Sequence, residues 1–124
     1  MTPGSGDRAP DPTANPYART YPHDGGFTVV EATGDIDMAT AGSLAEHLHA
    51  VTEVTRPDVL VDLRTVAFFD CSGLRVLCRA ESRARERGGR LRVVSESPRI
   101  RRLLRASGLL GRFPPLPGIP GQRR

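Results

Sequence analysis

Lysine and tryptophan are absent from this chain, aromatic residues make up 5% of it, and cysteine occurs twice. Each shortage excludes something. A phosphate loop of the G-x-x-x-x-G-K type needs a lysine, so there is none. No G-x-G-x-x-G follows a strand-like run, and no C-x-x-C occurs. The apolar runs are short, as at Val59-Leu60-Val61 before Asp62, and fall far below the roughly 20 residues of a membrane span. Met1 to Pro10 has no apolar segment of the secretory kind, which implies a cytosolic protein. Cys71 and Cys78 lie seven apart. On one helix that separates them by about 10 Å along the axis, too far for a disulfide, so both are expected as free thiols.

What is present is arginine. All 18 basic residues are arginine, and they are unevenly placed. Residues 1–70 hold 4 arginines and 11 acids, whereas residues 71–124 hold 14 arginines and 3 acids. A basic half suits an acidic partner or a nucleic acid. A GC-rich genome explains the choice of arginine over lysine more simply, and leaves the asymmetry open.

The 124 residues make room for one domain. Residues 1–23 are rich in proline and glycine and read as a disordered arm, in which Tyr17 and Tyr21 have the option of a short edge strand. Pro114, Pro115, Pro117 and Pro120 mark residues 114–124 as a Pro-rich tail, closed to helix and central strand alike. The folded part is then 24–113.

Within it, Phe27 to Thr33 alternates and is rich in β-branched residues, which predicts a strand ended by a turn at Gly34-Asp35-Ile36-Asp37. Ser43-Leu44-Ala45-Glu46 has capping-box spacing, and Leu44, Leu48 and Val51 repeat at helical intervals up to about Val54. Asp58 to Leu63 is apolar on both faces and predicts a central strand covered on both sides. A second helix follows Asp70-Cys71-Ser72-Gly73, its narrow face made by Gly73, Val76, Leu77, Ala80 and Ala84, and Gly88-Gly89 stops it. Leu91 to Val94 is the next strand, so this βαβ unit is parallel and right-handed. Ser97-Pro98 reads as cap and first residue of a third helix, which Gly108 ends. The fold class is α/β, a mixed sheet of four to five strands with covering helices.

Little here resembles a catalytic site. His47 and His49 point about 200° apart on a helix and cannot share a metal; both are expected on its surface, and His23 falls in the arm. No nucleophile–histidine–carboxylate set is indicated, so an enzyme is not expected and no cofactor is called for. The informative segment is Asp70-Cys71-Ser72-Gly73, between an apolar strand and a helix N-terminus, where sites gather in parallel α/β sheets. Asp70 or Ser72 serves there as a helix cap. Ser72 also presents a hydroxyl where a phosphate would meet free N–H groups and the positive end of the helix dipole. Such a phosphate adds about −1.5 to −2 charges next to the Asp70 carboxylate, enough to repel a docked partner.

Phe69-Asp70-Cys71-Ser72-Gly73-Leu74 resembles the D-S-S-G-L signature of the STAS-domain anti-sigma factor antagonists, and Gly34-Asp35-Ile36-Asp37 resembles that family's G-E-L-D turn. The order of elements is similar too, over about residues 27–113. The resemblance implies that Ser72 is the phosphorylated residue. It implies that Asp37, Asp70, Cys71, Gly73 and Leu74 belong to the partner-binding surface. It further implies that the unmodified chain binds an anti-sigma factor with histidine-kinase-like serine kinase activity and so frees a sigma factor. ATP and Mg²⁺ would belong to that kinase, and a metal-dependent serine phosphatase would reset the switch. Two departures stand out. Cys71 replaces the first serine of the signature, and the final strand expected near Arg112-Phe113 runs into Pro114-Pro115, so it should be short or absent.

Other readings share some of these features. A STAS module in another signalling assembly or a lipid-transport system would have the same fold and Ser-Gly loop. A nucleic-acid binder would use the arginines, but no aromatic stacking platform accompanies them, and a solvated basic face accounts for them better.

Overall fold

The computed structural model describes residues 17–121. Seven elements follow in order: β1 (Ala18–Pro22), β2 (Thr28–Ile36), α1 (Ala41–Val51), β3 (Asp58–Phe69), α2 (Cys71–Glu86), β4 (Arg90–Val94) and α3 (Pro98–Ala106). The strands form one mixed sheet in the order β1-β2-β3-β4. β1 is antiparallel to β2, while β2, β3 and β4 are mutually parallel.

Two consecutive right-handed crossovers, β2-α1-β3 and β3-α2-β4, step across the sheet in one direction and therefore place their helices on the same face. The main core lies there: Val30 and Ala32 of β2, Val59, Val61 and Leu63 of β3, and Leu91 and Val93 of β4 pack against Leu44 and Leu48 of α1, Leu77 and Ala80 of α2, and Ile100 and Leu104 of α3. Among the described residues the opposite face carries no helix. A second, smaller cluster covers it, in which Val29, Leu60 and Val94 meet Phe27 and Ile119. β3 is thus covered on both sides as its composition predicts, but its second cover is a loop and the C-terminal segment. Beside that cluster the face holds ion pairs, among them a buried Asp62 gripped by Arg64 through two N–H···O bonds of 3.0 Å.

Several boundaries differ from the sequence reading. The arm was expected to reach residue 23, yet Ala18–Pro22 forms β1, paired from Ala18↔Ala32 to Pro22↔Thr28. This is the edge strand open to Tyr21. Its apolar content is low because only Ala18 and Thr20 face the helices, while Arg19 on the other face pairs with Glu31. His23 stacks on Phe27 with ring centroids 4.3 Å apart. The earlier part of the arm, residues 1–16, lies outside the described residues.

The Pro-rich tail also joins the domain. Leu116 forms a single parallel bridge to Val94, its N–H donating to the Val93 carbonyl at 2.9 Å and its carbonyl accepting from Ser95 N–H at 3.0 Å. Ile119 is then buried against the helix-free face. Prolines forbid helix and central strand but permit an extended edge segment. The final strand is therefore reduced to one bridge.

β2 does not stop at Thr33. It passes through Gly34 and Asp35 to Ile36, with register shifts against β3 between Glu31 and Thr33 and between Gly34 and Asp35, the second at a Gly34 whose φ is +79°. β3 likewise extends to Phe69. α1 starts at Ala41, so Ser43 lies inside the helix and the capping box is not formed. His47 is the sharpest correction. Expected on the surface, it is 1% exposed, with Nδ1 2.6 Å from Thr20 Oγ1 of β1. α1 packs over β1, and a face that meets an unexpected strand is no longer a surface. His49 stays exposed, 3.4 Å from Glu53. Ser97 caps α3 as predicted, accepting from Ile100 N–H at 3.3 Å.

Candidate functional site

Because β2 and β3 run in parallel, their carboxyl ends reach the same edge of the sheet. Asp35 is opposite Phe68 and Ile36 is opposite Phe69. The ladder continues one step further, since Asp70 N–H donates to the Ile36 carbonyl at 3.3 Å. The loop that opens α1 and the turn that opens α2 are thereby held side by side.

The first loop is built on Asp37. Its carboxylate accepts from Ala39 N–H at 2.9 Å and Thr40 N–H at 3.2 Å, and its carbonyl accepts from Ala41 N–H at 2.8 Å. The Thr40 hydroxyl accepts from Asp37 N–H at 3.0 Å and donates to the Asp35 carbonyl at 2.5 Å. These bonds occupy the polar groups of the loop and leave Met38 at its tip 86% exposed.

The second turn is built on Asp70. Its backbone is extended, and its side chain accepts from Ser72 N–H at 2.8 Å, so Asp70 rather than Ser72 is the cap of α2. Leu74 N–H closes the first turn on the Asp70 carbonyl at 3.2 Å. Cys71 at the first helical position is exposed, and both cysteines are free thiols. Ser72 at the second is half-buried, and its hydroxyl has no hydrogen-bond partner among the described residues. Gly73 and Leu74 are buried. A Cβ at Gly73 would stand 2.5 Å from the Phe69 ring, so the turn closes down on that ring only because residue 73 has no side chain.

The six residues singled out from the sequence therefore divide. Asp37, Asp70, Cys71 and Ser72 share the accessible edge, although no hydrogen bond joins Asp37 to Ser72 among the described residues. Gly73 and Leu74 are buried beneath it. The sequence reading passed over Met38 and Phe68, which is 48% exposed. Met38 lies in the loop between β2 and α1, and Phe68, two residues before Asp70, lines a small pocket with Ser97, Arg99 and Ile100 at the start of α3. A methionine next to a turn aspartate, and a Phe-Phe pair of which only one ring can enter the core, are the signals that would have found them.

With this geometry in view, the comparisons with known proteins are specific. A family model described as Mlab, STAS domain, matches residues 20–116. The anti-sigma-F factor antagonist RsfA of Mycobacterium tuberculosis is 29% identical over 111 residues, covering 87% of this chain and 86% of that protein. A crystal structure of an anti-sigma factor antagonist from Mycobacterium paratuberculosis superposes with a TM-score of 0.73 at 32% identity, over 82% of this chain and 86% of that one. The Bacillus cell fate determinant SpoIIAA in its phosphorylated form shares the fold at 18% identity, with a TM-score of 0.61 over 77% of this chain and 86% of its own. The sheet order, the edge carrying Ser72 and these matches agree that the chain belongs to the STAS-domain anti-sigma factor antagonist family.

Proposed function

We propose that this chain is a cytoplasmic anti-sigma factor antagonist switched by phosphorylation of Ser72. The observation that carries the reading is the Ser72 hydroxyl itself, at the start of α2 and without a hydrogen-bond partner among the described residues, with Met38 exposed in the neighbouring loop. An exposed methionine in the loop beside that turn suits a protein partner rather than a small substrate. The unmodified form binds a histidine-kinase-like serine kinase anti-sigma factor through this edge and releases a sigma factor. The kinase transfers a phosphoryl group from ATP to Ser72, using its own Mg²⁺. The added charge stands beside the Asp70 carboxylate, which already occupies the positive end of the helix dipole. Two like charges at one helix end raise the cost of docking a partner there. A metal-dependent serine phosphatase restores the binding form.

The test uses Ser72→Ala as bait in the host's lysate, with mass spectrometry of what it retains. A small histidine-kinase-like ATPase that then labels wild type, but not Ser72→Ala, from radioactive ATP is the expected result. Retention of only transporter or large-assembly subunits would keep the fold and overturn the function.

A further inference from the structure

The arginines of the second half are the one feature of the sequence that the switch leaves unused. The structure sorts them. Arg85 and Arg112 pair with Glu81, and Arg90 and Arg92 pair with Asp58. Arg83 and Arg87 donate to the Thr52 hydroxyl and the Glu53 carbonyl. On α2 that leaves Arg75 and Arg79, both exposed and both without a partner among the described residues. They are one turn apart on one stripe, and Arg75 stands one turn beyond Ser72.

Beside that stripe runs a groove of about 310 Å³ between α1 and α2. Ala45, Leu48 and Val76 give it an apolar lining, with Arg79 and Arg83 along the α2 side and Glu46 and His49 along the α1 side. Both helices start at the switch edge, with Met38 just before α1 and Ser72 in the first turn of α2. The groove runs along the same two helices, beginning at Ala45 of α1 and Val76 of α2.

We propose that this groove is a second part of the partner surface and takes an acidic amphipathic segment of the anti-sigma factor. Its apolar side chains pack on Ala45, Leu48 and Val76, and its carboxylates meet Arg79 and Arg75. The inference rests on the antagonist reading above. Charge complementarity selects the occupant, because a guanidinium without a partner is suited to bidentate pairing with a carboxylate. A second copy of this chain in a two-fold contact would instead bring the same arginines to the same patch. The arginines of α3 also lack a partner among the described residues, but they lie outside this groove.

The test is calorimetry of the full chain carrying Ser72→Ala against the purified anti-sigma factor, at 50 and 200 mM salt. Adding Arg79→Glu is expected to weaken binding at least tenfold and to reduce its salt dependence, whereas adding Arg102→Glu on α3 changes affinity less than twofold. Arg79 makes no hydrogen bond or ion pair among the described residues, and thermal melts check that both variants remain folded. Unchanged binding by Arg79→Glu overturns the groove and leaves the antagonist reading standing. An equal loss in Arg102→Glu also overturns it, since the effect is then one of net charge. A chain that dimerises alone through an Arg79-sensitive contact assigns the groove to a second copy and overturns the proposal. No binding by the parent Ser72→Ala chain overturns the antagonist reading first, and the groove with it.

Discussion

The Phe69 ring occupies the place that a side chain on Gly73 would need, with its Cε1 and Cζ 2.5 Å from where a Cβ would stand. Phe69 is the last residue of β3 and Gly73 lies in the first turn of α2, so this contact fixes how sharply the chain turns at Ser72.

A methyl group at residue 73 sets two effects against each other. Alanine is favoured over glycine within a helix by about 0.8–1.0 kcal/mol. Overpacking costs about 1–3 kcal/mol. Gly73→Ala is expected to be destabilising on balance, by up to about 2 kcal/mol, with Phe69 displaced. Urea unfolding of Gly73→Ala, Phe69→Leu and the double variant checks this. If Gly73→Ala is as stable as wild type alone and no better with Phe69→Leu, the ring is not what holds the position to glycine.

Asp70 combines a cap with a charge, and two substitutions separate them. Asp70→Ala removes the acceptor of the Ser72 amide and should cost about 0.5–2 kcal/mol. Asp70→Asn keeps an acceptor, since asparagine caps about as well, and should change stability little. It also removes the charge against which a Ser72 phosphate is set. Phosphorylated Asp70→Asn should therefore keep more affinity for the anti-sigma factor than phosphorylated wild type. Equal loss of affinity in the two would show that Asp70 acts as a cap alone.

The Thr20–His47 contact ties β1 to α1 inside the protein. His47 Nε2 is buried without a hydrogen-bond partner among the described residues, so Thr20 carries the whole polar satisfaction of that ring. Thr20→Val leaves a second ring nitrogen unpaired and should cost about 1–3 kcal/mol, while removing both polar groups in Thr20→Val/His47→Leu should recover part of the loss. Chemical denaturation of the four proteins of this cycle gives the answer. An additive double variant would mean that the 2.6 Å contact contributes nothing of its own.

These residues also show where the sequence was legible. The β3-α2-β4 unit was readable because its signals are local: a two-sided apolar run, an Asp-Cys-Ser-Gly start, a spaced small-residue face and Gly88-Gly89 at the end. Ser97-Pro98 marked α3 for the same reason. What was missed depends on contacts distant in sequence. β1 is a strand because Thr20 finds His47 of α1 and Arg19 finds Glu31, and five residues with a proline at the end give no pattern of their own. His47 is buried only because β1 is there. The tail is ordered against the sheet because the helix-free face needs covering, which Ile119 supplies. The false start at Ser43 is instructive: the spacing was present, but the Asp37–Thr40 turn had already begun the helix. In the site, Asp70 and Ser72 could be placed from the signature, whereas Met38 and Phe68 matter through exposure, which no local pattern reports.

The proposed switch yields the most direct prediction. Ser72→Ala should leave the fold intact, because its hydroxyl makes no hydrogen bond among the described residues and the cap belongs to Asp70. The variant should hold the protein in its partner-binding form. Ser72→Asp places one negative charge beside Asp70 where a phosphate brings about −1.5 to −2. Its affinity for the anti-sigma factor should fall, by less than in the phosphorylated protein. Raising salt should narrow the gap between Ser72→Asp and Ser72→Ala, since charges at an accessible helix end are screened over about 8–10 Å at 0.1–0.15 M ionic strength. Titration of both variants with the purified partner at low and high salt measures that gap. Equal affinities at low salt would overturn repulsion at the helix end as the basis of the proposed switch, and would move any effect of phosphorylation to the shape of the phosphoryl group.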